Sequence, residues 1–222
     1  MIMLFKKIAD NSEDNSYATT MRRKRFGFFM SLLAGVPRPL SILDVGGTQG
    51  FWERMDFTDE PGISITLINL KPQPVRYAGF TSIIGDATDL SVFSDDAFDV
   101  VFSNSVIEHV GGINEQSRMA QEVIRVGRRY FVQTPNYYFP IEPHYLFPGF
   151  QWLPLEVRAW LLNHFNLGWS KRKPTIAEAR ESVNSVRLLR KDELLTFFPH
   201  TNLYEEKLAG LTKSFVVYDG WD

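Results

Sequence analysis

Asp44-Val45-Gly46-Gly47-Thr48-Gln49-Gly50 is the stretch on which the reading of this chain turns. Ahead of it, Ser41-Ile42-Leu43-Asp44-Val45 has the composition of a short buried strand, and behind it Phe51-Trp52-Glu53-Arg54-Met55 opens a helix. A glycine-rich turn between strand and helix is the layout of a ligand site at the carboxyl edge of a parallel sheet. Its glycines permit a sharp turn and let a ligand approach the backbone closely. No Gly-Lys-Ser/Thr is present, so the turn is not a P-loop. The spacing G-G-x-x-G also departs from the dinucleotide pattern G-x-G-x-x-G, and Asp44 would repel a pyrophosphate there. An acid beside bare glycine backbone suits a ligand that carries a cation and no phosphate.

Strands recur outward from this point, near residues 41–45, 63–69, 80–84, 98–103 and 128–133, with helical or loop segments between them. Helices are expected over 116–126 and over 17–34, where Arg22, Arg25, Phe26, Phe29 and Leu33 share one stripe. The alternation predicts an α/β fold, doubly wound around a mainly parallel, Rossmann-like sheet of seven strands. Runs at 202–208 and 213–218 flank a glycine-containing turn and read as a hairpin that adds an antiparallel C-terminal strand. A single domain is expected over 1–222, with an N-terminal helical segment 1–36 in which the polar residues 9–16 are mobile. Residues 134–190 are far longer than the roughly 10–20 residues that usually join two strands in such a fold. Four prolines stiffen their start, a helix is expected over 155–165, and Tyr137, Tyr138, Phe139, Tyr145, Trp152 and Trp160 make them aromatic. This insertion reads as a substrate lid, with a subset of the rings lining an acceptor pocket.

Four stations in this order carry a family resemblance. Leu43 to Gly50 resembles the first motif of class I S-adenosylmethionine-dependent methyltransferases, in their small-molecule (type 11-like) branch. Ile65-Thr66-Leu67-Ile68-Asn69-Leu70 is similar to the family's second strand, Gly85-Asp86-Ala87-Thr88-Asp89-Leu90 to the segment after its third, and Phe98 to His109 to its fourth-strand motif. S-adenosylmethionine, with its sulfonium and ammonium groups, is a ligand of the kind the first loop suits. The resemblance implies that Gly46, Gly47, Thr48 and Gly50 cradle this cofactor, with Asp44 facing its ammonium directly or through water. Asn69, followed by Leu70, stands where the family usually has an acid on the ribose hydroxyls. An amide can still accept from one hydroxyl but lacks the charge-assisted bond, so Asn69→Asp is expected to tighten binding or leave it unchanged. Asp86 is expected on the adenine amino group with the Ala87 backbone beside it, and Ser103, Asn104 and Ser105 under the methionine portion. Arg22 and Arg25 lie on the apolar side of their helix, where a cation wants an anion. The resemblance suggests the cofactor carboxylate or an acidic acceptor, and snorkelling at the rim is the other option.

Bulk numbers narrow the classes. Lys and Arg number 24 against 26 Asp and Glu, so no global field favours nucleic acid. Cys is absent, which excludes disulfide scaffolds, thiol nucleophiles and iron–sulfur radical chemistry. Met1-Ile2-Met3-Leu4-Phe5 is too short for a signal-peptide core, no run is long enough to span a membrane, and a cytoplasmic location is expected. Oligomeric state is left open.

The chemistry expected is methyl transfer to an O or N of a small, fairly apolar metabolite in a biosynthetic setting. The alternative is a non-catalytic S-adenosylmethionine-fold sensor or partner subunit. A dinucleotide reductase is excluded by the glycine spacing. Glu108, His109 and His144 are the candidate catalytic residues, with Glu142 beside the last; a histidine there has a suitable pKa for a base, or could be a hydrogen-bonded wall residue. No pair has H-x-x-x-H spacing, so no metal is expected.

Overall fold

The computed structural model describes residues 16–221, which leaves 1–15 and most of the stretch expected to be mobile outside the described residues. The main sheet is built from β1 (Leu40–Val45), β2 (Ile63–Asn69), β3 (Phe80–Ile84), β4 (Val100–Asn104), β5 (Tyr130–Pro135), β8 (Asn202–Leu208) and β9 (Leu211–Asp219). A separate hairpin pairs β6 (Ile141–Glu142) with β7 (Phe147–Pro148). The helices are α1 (Tyr17–Leu33), α2 (Gln49–Arg54), α3 (Ile113–Val126), α4 (Leu155–His164), α5 (Ile176–Asn184) and α6 (Lys191–Phe197).

Strand order is β3-β2-β1-β4-β5-β9-β8. Pairings from β3 through β5 are parallel, and β9 runs against both β5 and β8, which makes it the one reversed strand of seven. The fold expected from the sequence is therefore the fold found. Because β1 pairs with β2 on one side and β4 on the other, the chain leaves its carboxyl end at the point where strand order reverses, and a crevice opens there.

Successive residues of each strand face opposite sides. Ile42, Phe102, Phe131 and Val216 pack under α1 and α2 against Phe26, Phe29, Leu33 and Trp52. Their neighbours Leu43, Val101, Val132 and Val217 pack on the other side against Met119, Ala120 and Val123 of α3 and Leu194 of α6. The helix α1 starts where Ser16 accepts a hydrogen bond from the Thr19 amide at 3.0 Å, an N-cap that satisfies an otherwise orphaned donor. Among the described residues no helix is long and apolar enough to cross a membrane.

The long connection after β5 returns on itself. Asn136 and Leu189 form a parallel bridge, and the Tyr137 amide donates to the Leu189 carbonyl at 3.0 Å. Between these ends the β6–β7 hairpin, α4 and α5 share a core of their own, made by Tyr145, Phe150, Ala159, Leu162, Leu167, Ala179 and Val183.

Candidate functional site

Asp44 sits at the carboxyl end of β1, on the side covered by α2, and only 1% of it is exposed. One carboxylate oxygen accepts the indole N–H of Trp52 at 2.8 Å; the other, Oδ1, is buried with no partner. Burial pushes its pKa up to about 7, against which the Trp52 hydrogen bond works. Such a group is a poor structural device and a good receptor for a cation. The loop above it is shaped by the same carboxylate: a Cβ on Gly47 would fall 1.6 Å from Asp44 Oδ2. Gly46 adopts φ +75°, a left-handed conformation that also brings it against Val106.

A cleft of about 140 Å³ opens beside this loop, lined by Asp44, Gly46, Gly47 and Thr48 together with Arg22 and Asn104. Phe51, Arg54 and Phe102 complete the wall and were not singled out in the sequence. Arg22 is pulled down to about 10 by burial and by the neighbouring Arg25. A buried carboxylate, an arginine and bare glycine backbone match the ammonium, carboxylate and close approach that an amino-acid end of S-adenosylmethionine requires, so the residues fit the group.

Arg25 does not reach that cleft. It is locked in a buried ion pair with Glu206 of β8, with Nε to Oε1 at 2.9 Å and Nη2 to Oε2 at 3.1 Å, and it donates a further bond to Asn104 Oδ1. The anion that a buried cation wants is thus supplied from within the fold, 181 residues away, and the expected cofactor role for Arg25 is withdrawn.

Asn69 ends β2 and its amide donates to the Gly47 carbonyl at 2.8 Å. A carbonyl can only accept, so the Asn69 oxygen is the atom left for a ribose hydroxyl. Leu70 follows and is 75% exposed. Asp86 is exposed at the edge beyond β3, where its Oδ1 accepts from both the amide and hydroxyl of Thr88 at 2.8 Å. Ala87 packs against the core beside it. Ser105 adopts φ +59° and turns its hydroxyl to Gln133 at 2.7 Å, while Ser103 donates to the Val45 carbonyl; neither lines the cleft.

The catalytic candidates come together. Glu108 and His109 lie on a short 3₁₀ turn, Ile107–His109, just past β4, and His144 lies in the β6–β7 turn. One side-chain ligand atom from each of Glu108, His109 and His144 falls within 4.8 Å of the others. The two imidazoles stand nearly perpendicular, with their Nε2 atoms 3.1 Å apart. His144 Nδ1 lies 2.6 Å from Glu142 Oε1. The other oxygen of Glu142 accepts the amides of His144 and Tyr145 at 2.8 and 2.7 Å, which fixes the acid in place. Burial works against charge on His144, but the Glu142 hydrogen bond and charge outweigh it and raise the ring above its ordinary value. His109 is lowered by burial and by His144. Glu108 is buried; Thr134 donates to its Oε2 at 3.0 Å, and its Oε1 has no partner. Burial raises its pKa to about 7. The sequence spacing that argued against a metal weighed pairs such as H-x-x-x-H, whereas His109 and His144 are 35 positions apart and are brought together by the fold.

Beside Glu142 opens a cavity of about 490 Å³. Tyr137, Tyr145 and Phe150 line it with Arg158, Arg187 and Arg190, so it is walled by rings and cations together. Arg158 Nε is buried without a partner. Trp152 and Trp160 point elsewhere and are about half exposed, at 50% and 48%.

Residues 43–130 match the family described as "Methyltransferase domain". An uncharacterized protein of Mycobacterium tuberculosis, Rv1509, is 42% identical over 57 residues, 26% of this chain and 20% of that protein. The chain thus spans about a fifth of that relative's length. Among solved structures, the CurJ carbon methyltransferase superposes with a TM-score of 0.58 at 14% identity, covering 95% of this chain and 56% of that one. The N-terminal domain of EvdMO1, crystallised with SAH and D-fucose, gives 0.53 at 17% identity over 89% and 81% of the two chains. A putative methyltransferase from an antibiotic biosynthesis pathway of Anabaena variabilis gives 0.52 at 15% identity over 84% and 67%. At these identities the likeness is one of fold. The resemblance to class I S-adenosylmethionine-dependent methyltransferases is borne out in the methyltransferase-domain match over residues 43–130 and in the fold.

Proposed function

We propose that this methyltransferase domain moves a methyl group from S-adenosylmethionine to an oxygen or nitrogen of a small metabolite, in a cytoplasmic biosynthetic pathway. The observation that carries the reading is the buried, unpartnered Asp44 oxygen under a glycine loop, in one cleft with Arg22. We assign Asp44, Gly46, Gly47, Thr48 and Arg22 to the amino-acid end of the cofactor, the Asn69 oxygen to the ribose, and Asp86 with Ala87 to the adenine.

Methyl transfer is an in-line displacement in which positioning supplies much of the rate, and a base is needed where the acceptor must lose a proton. The Glu108, His109 and His144 cluster is the place for that loss: it stands beyond the same sheet edge, with His144 oriented by a buried carboxylate. Rings and arginines in the neighbouring cavity favour an acceptor with a planar body and an anionic or strongly polar substituent, a more polar molecule than the sequence suggested. D-fucose, found with one fold neighbour, is of a size this cavity admits.

Isothermal titration should give saturable binding of S-adenosylmethionine and none of NAD. No saturation at millimolar S-adenosylmethionine would end the reading. With an acceptor found by methyl-donor consumption on mixed metabolites, His144→Ala should lower turnover by about a hundredfold or more while cofactor affinity stays within about twofold. Full turnover in both His144→Ala and His109→Ala would leave positioning alone to carry the reaction.

A further inference from the structure

The Nε2 atoms of His109 and His144 stand 3.1 Å apart, the distance of one shared proton or of two ligands on one ion. Glu142 accepts two backbone N–H groups and faces His144 Nδ1, so in the neutral ring that nitrogen carries the proton and Nε2 presents a lone pair. His109 meets it with its own Nε2 and makes a separate hydrogen bond with the Ser185 backbone. A carboxylate oxygen of Glu108 completes a triangle within 4.8 Å, and this fully buried acid has one oxygen with no partner.

From this arrangement we propose that Glu108, His109 and His144 bind a divalent transition-metal ion. Two nitrogens bound side by side at about 2.1 Å from one ion stand about 3.0–3.4 Å apart, the spacing found. The surroundings are those of a metal site as well. A ligating histidine almost always donates its outer N–H to a carboxylate or carbonyl, and His144 has the buried Glu142 for that purpose. Glu142 is in turn held by the tight β6–β7 turn, and Thr134 orients Glu108. Three protein ligands leave positions open, and His109 is exposed on its outer side, so an acceptor oxygen or nitrogen has a route to the ion. Two neutral imidazoles and one carboxylate, without thiolate, suit zinc, iron, manganese or cobalt, and magnesium poorly. Binding of the ion does not rest on the proposed function; only its use, to hold the acceptor and ease loss of its proton, does.

The full chain, stripped with chelator and dialysed, would be titrated with Zn2+, Mn2+ and Co2+ separately, without S-adenosylmethionine. One ion per chain is expected. His109→Ala, His144→Ala and Glu108→Gln should each weaken it about a hundredfold or more, and Glu142→Gln about 10–100-fold. Cofactor affinity, measured on the same samples, should stay within twofold and shows that each variant is folded. The Co2+-loaded wild type should also display two strongly shifted, solvent-exchangeable imidazole N–H proton resonances, a readout that needs no variant. No saturable binding up to about 1 mM, undiminished binding in the doubly substituted His109→Ala/His144→Ala protein, or absence of the shifted resonances would each overturn the site. The histidines would then share a proton. A failure of S-adenosylmethionine binding with the metal retained would instead sink the methyltransferase reading and leave the ion in place.

Discussion

Asp44 shows how one atom without a partner can tie stability to ligand binding. Its folded pKa of about 7 stands above the ordinary 3.8 because burial disfavours the charged form. Between those values the folded chain keeps a proton that the unfolded chain has lost. The ligand-free protein should therefore lose stability as pH rises from about 4 to about 7 and level off above. A bound ammonium favours the ionised acid, so binding of S-adenosylmethionine should release a proton and tighten several-fold from pH 6 to pH 8. Calorimetry in buffers of different ionisation heat measures that release directly, and Asp44→Asn should abolish it; tighter binding at pH 6 than at pH 8 would contradict the assignment. Asn69 changes the sign of an expectation. Read as a weak substitute for an acid, it invites Asn69→Asp as an improvement. In the structure its N–H holds the Gly47 carbonyl, and a carboxylate would face that oxygen with no proton to offer. Cofactor binding should weaken by about tenfold, the value of a lost polar contact, as dissociation constants of the two proteins would show. The glycine loop and Asp44 were legible because turn chemistry and charge are local. The inward role of Asn69 was not, since it depends on where two strand ends meet.

At the scale of elements, α1 is fastened by a charge pair that no local pattern reveals. Its apolar stripe announced a helix packed on the sheet and placed Arg25 on the buried side. Only the return of β8 to the sheet edge supplies Glu206, whose side chain is 1% exposed against 8% for Arg25. Arg25→Met should cost about 3–5 kcal/mol in chemical denaturation, because it strands a buried carboxylate, while Arg25→Met/Glu206→Met should recover most of the loss. A small effect of the single change would mean that water reaches Glu206. Helix boundaries were read to within a few residues for α1, α3 and α4, where apolar periodicity runs for several turns. The shorter α5 and α6 went unread. The helix α5 did carry a start signal, Thr175 followed by Glu178, and Thr175 indeed accepts the Glu178 amide at 3.2 Å. The β6–β7 hairpin has two residues per strand and owes its existence to the contacts around it.

On the scale of the whole molecule, the candidate cofactor cleft and the His144 turn belong to different bodies of the fold, the main sheet and the inserted segment. The cluster of Glu108, His109 and His144 bridges the two. The cleft residues all come from α1, α2, β1 and β4 with their adjoining loops, whereas His144 and Glu142 belong to the inserted segment with its own small core. Gly168 joins that core to the His144 turn. It adopts φ +51°, and a Cβ there would lie 2.4 Å from the Tyr145 carbonyl carbon. Gly168→Ala should therefore displace His144 and lower turnover by about a hundredfold, the scale of an ångström's misplacement, with cofactor affinity unchanged. Equal losses in both would mean that the two bodies act as one.

The place of β9 bears on how the chain reaches this state in the cell. It follows β8 in sequence yet sits between β8 and β5, so the sheet cannot close in the order in which a ribosome delivers it. Until residues 211–219 emerge, β5 presents an open edge, and β8, with Glu206, has no neighbour to hold it against the rest. Arg25 waits for a partner 181 residues downstream. A nascent chain of this protein is thus committed to a long interval with an unpaired strand on display, the interval in which holding chaperones act.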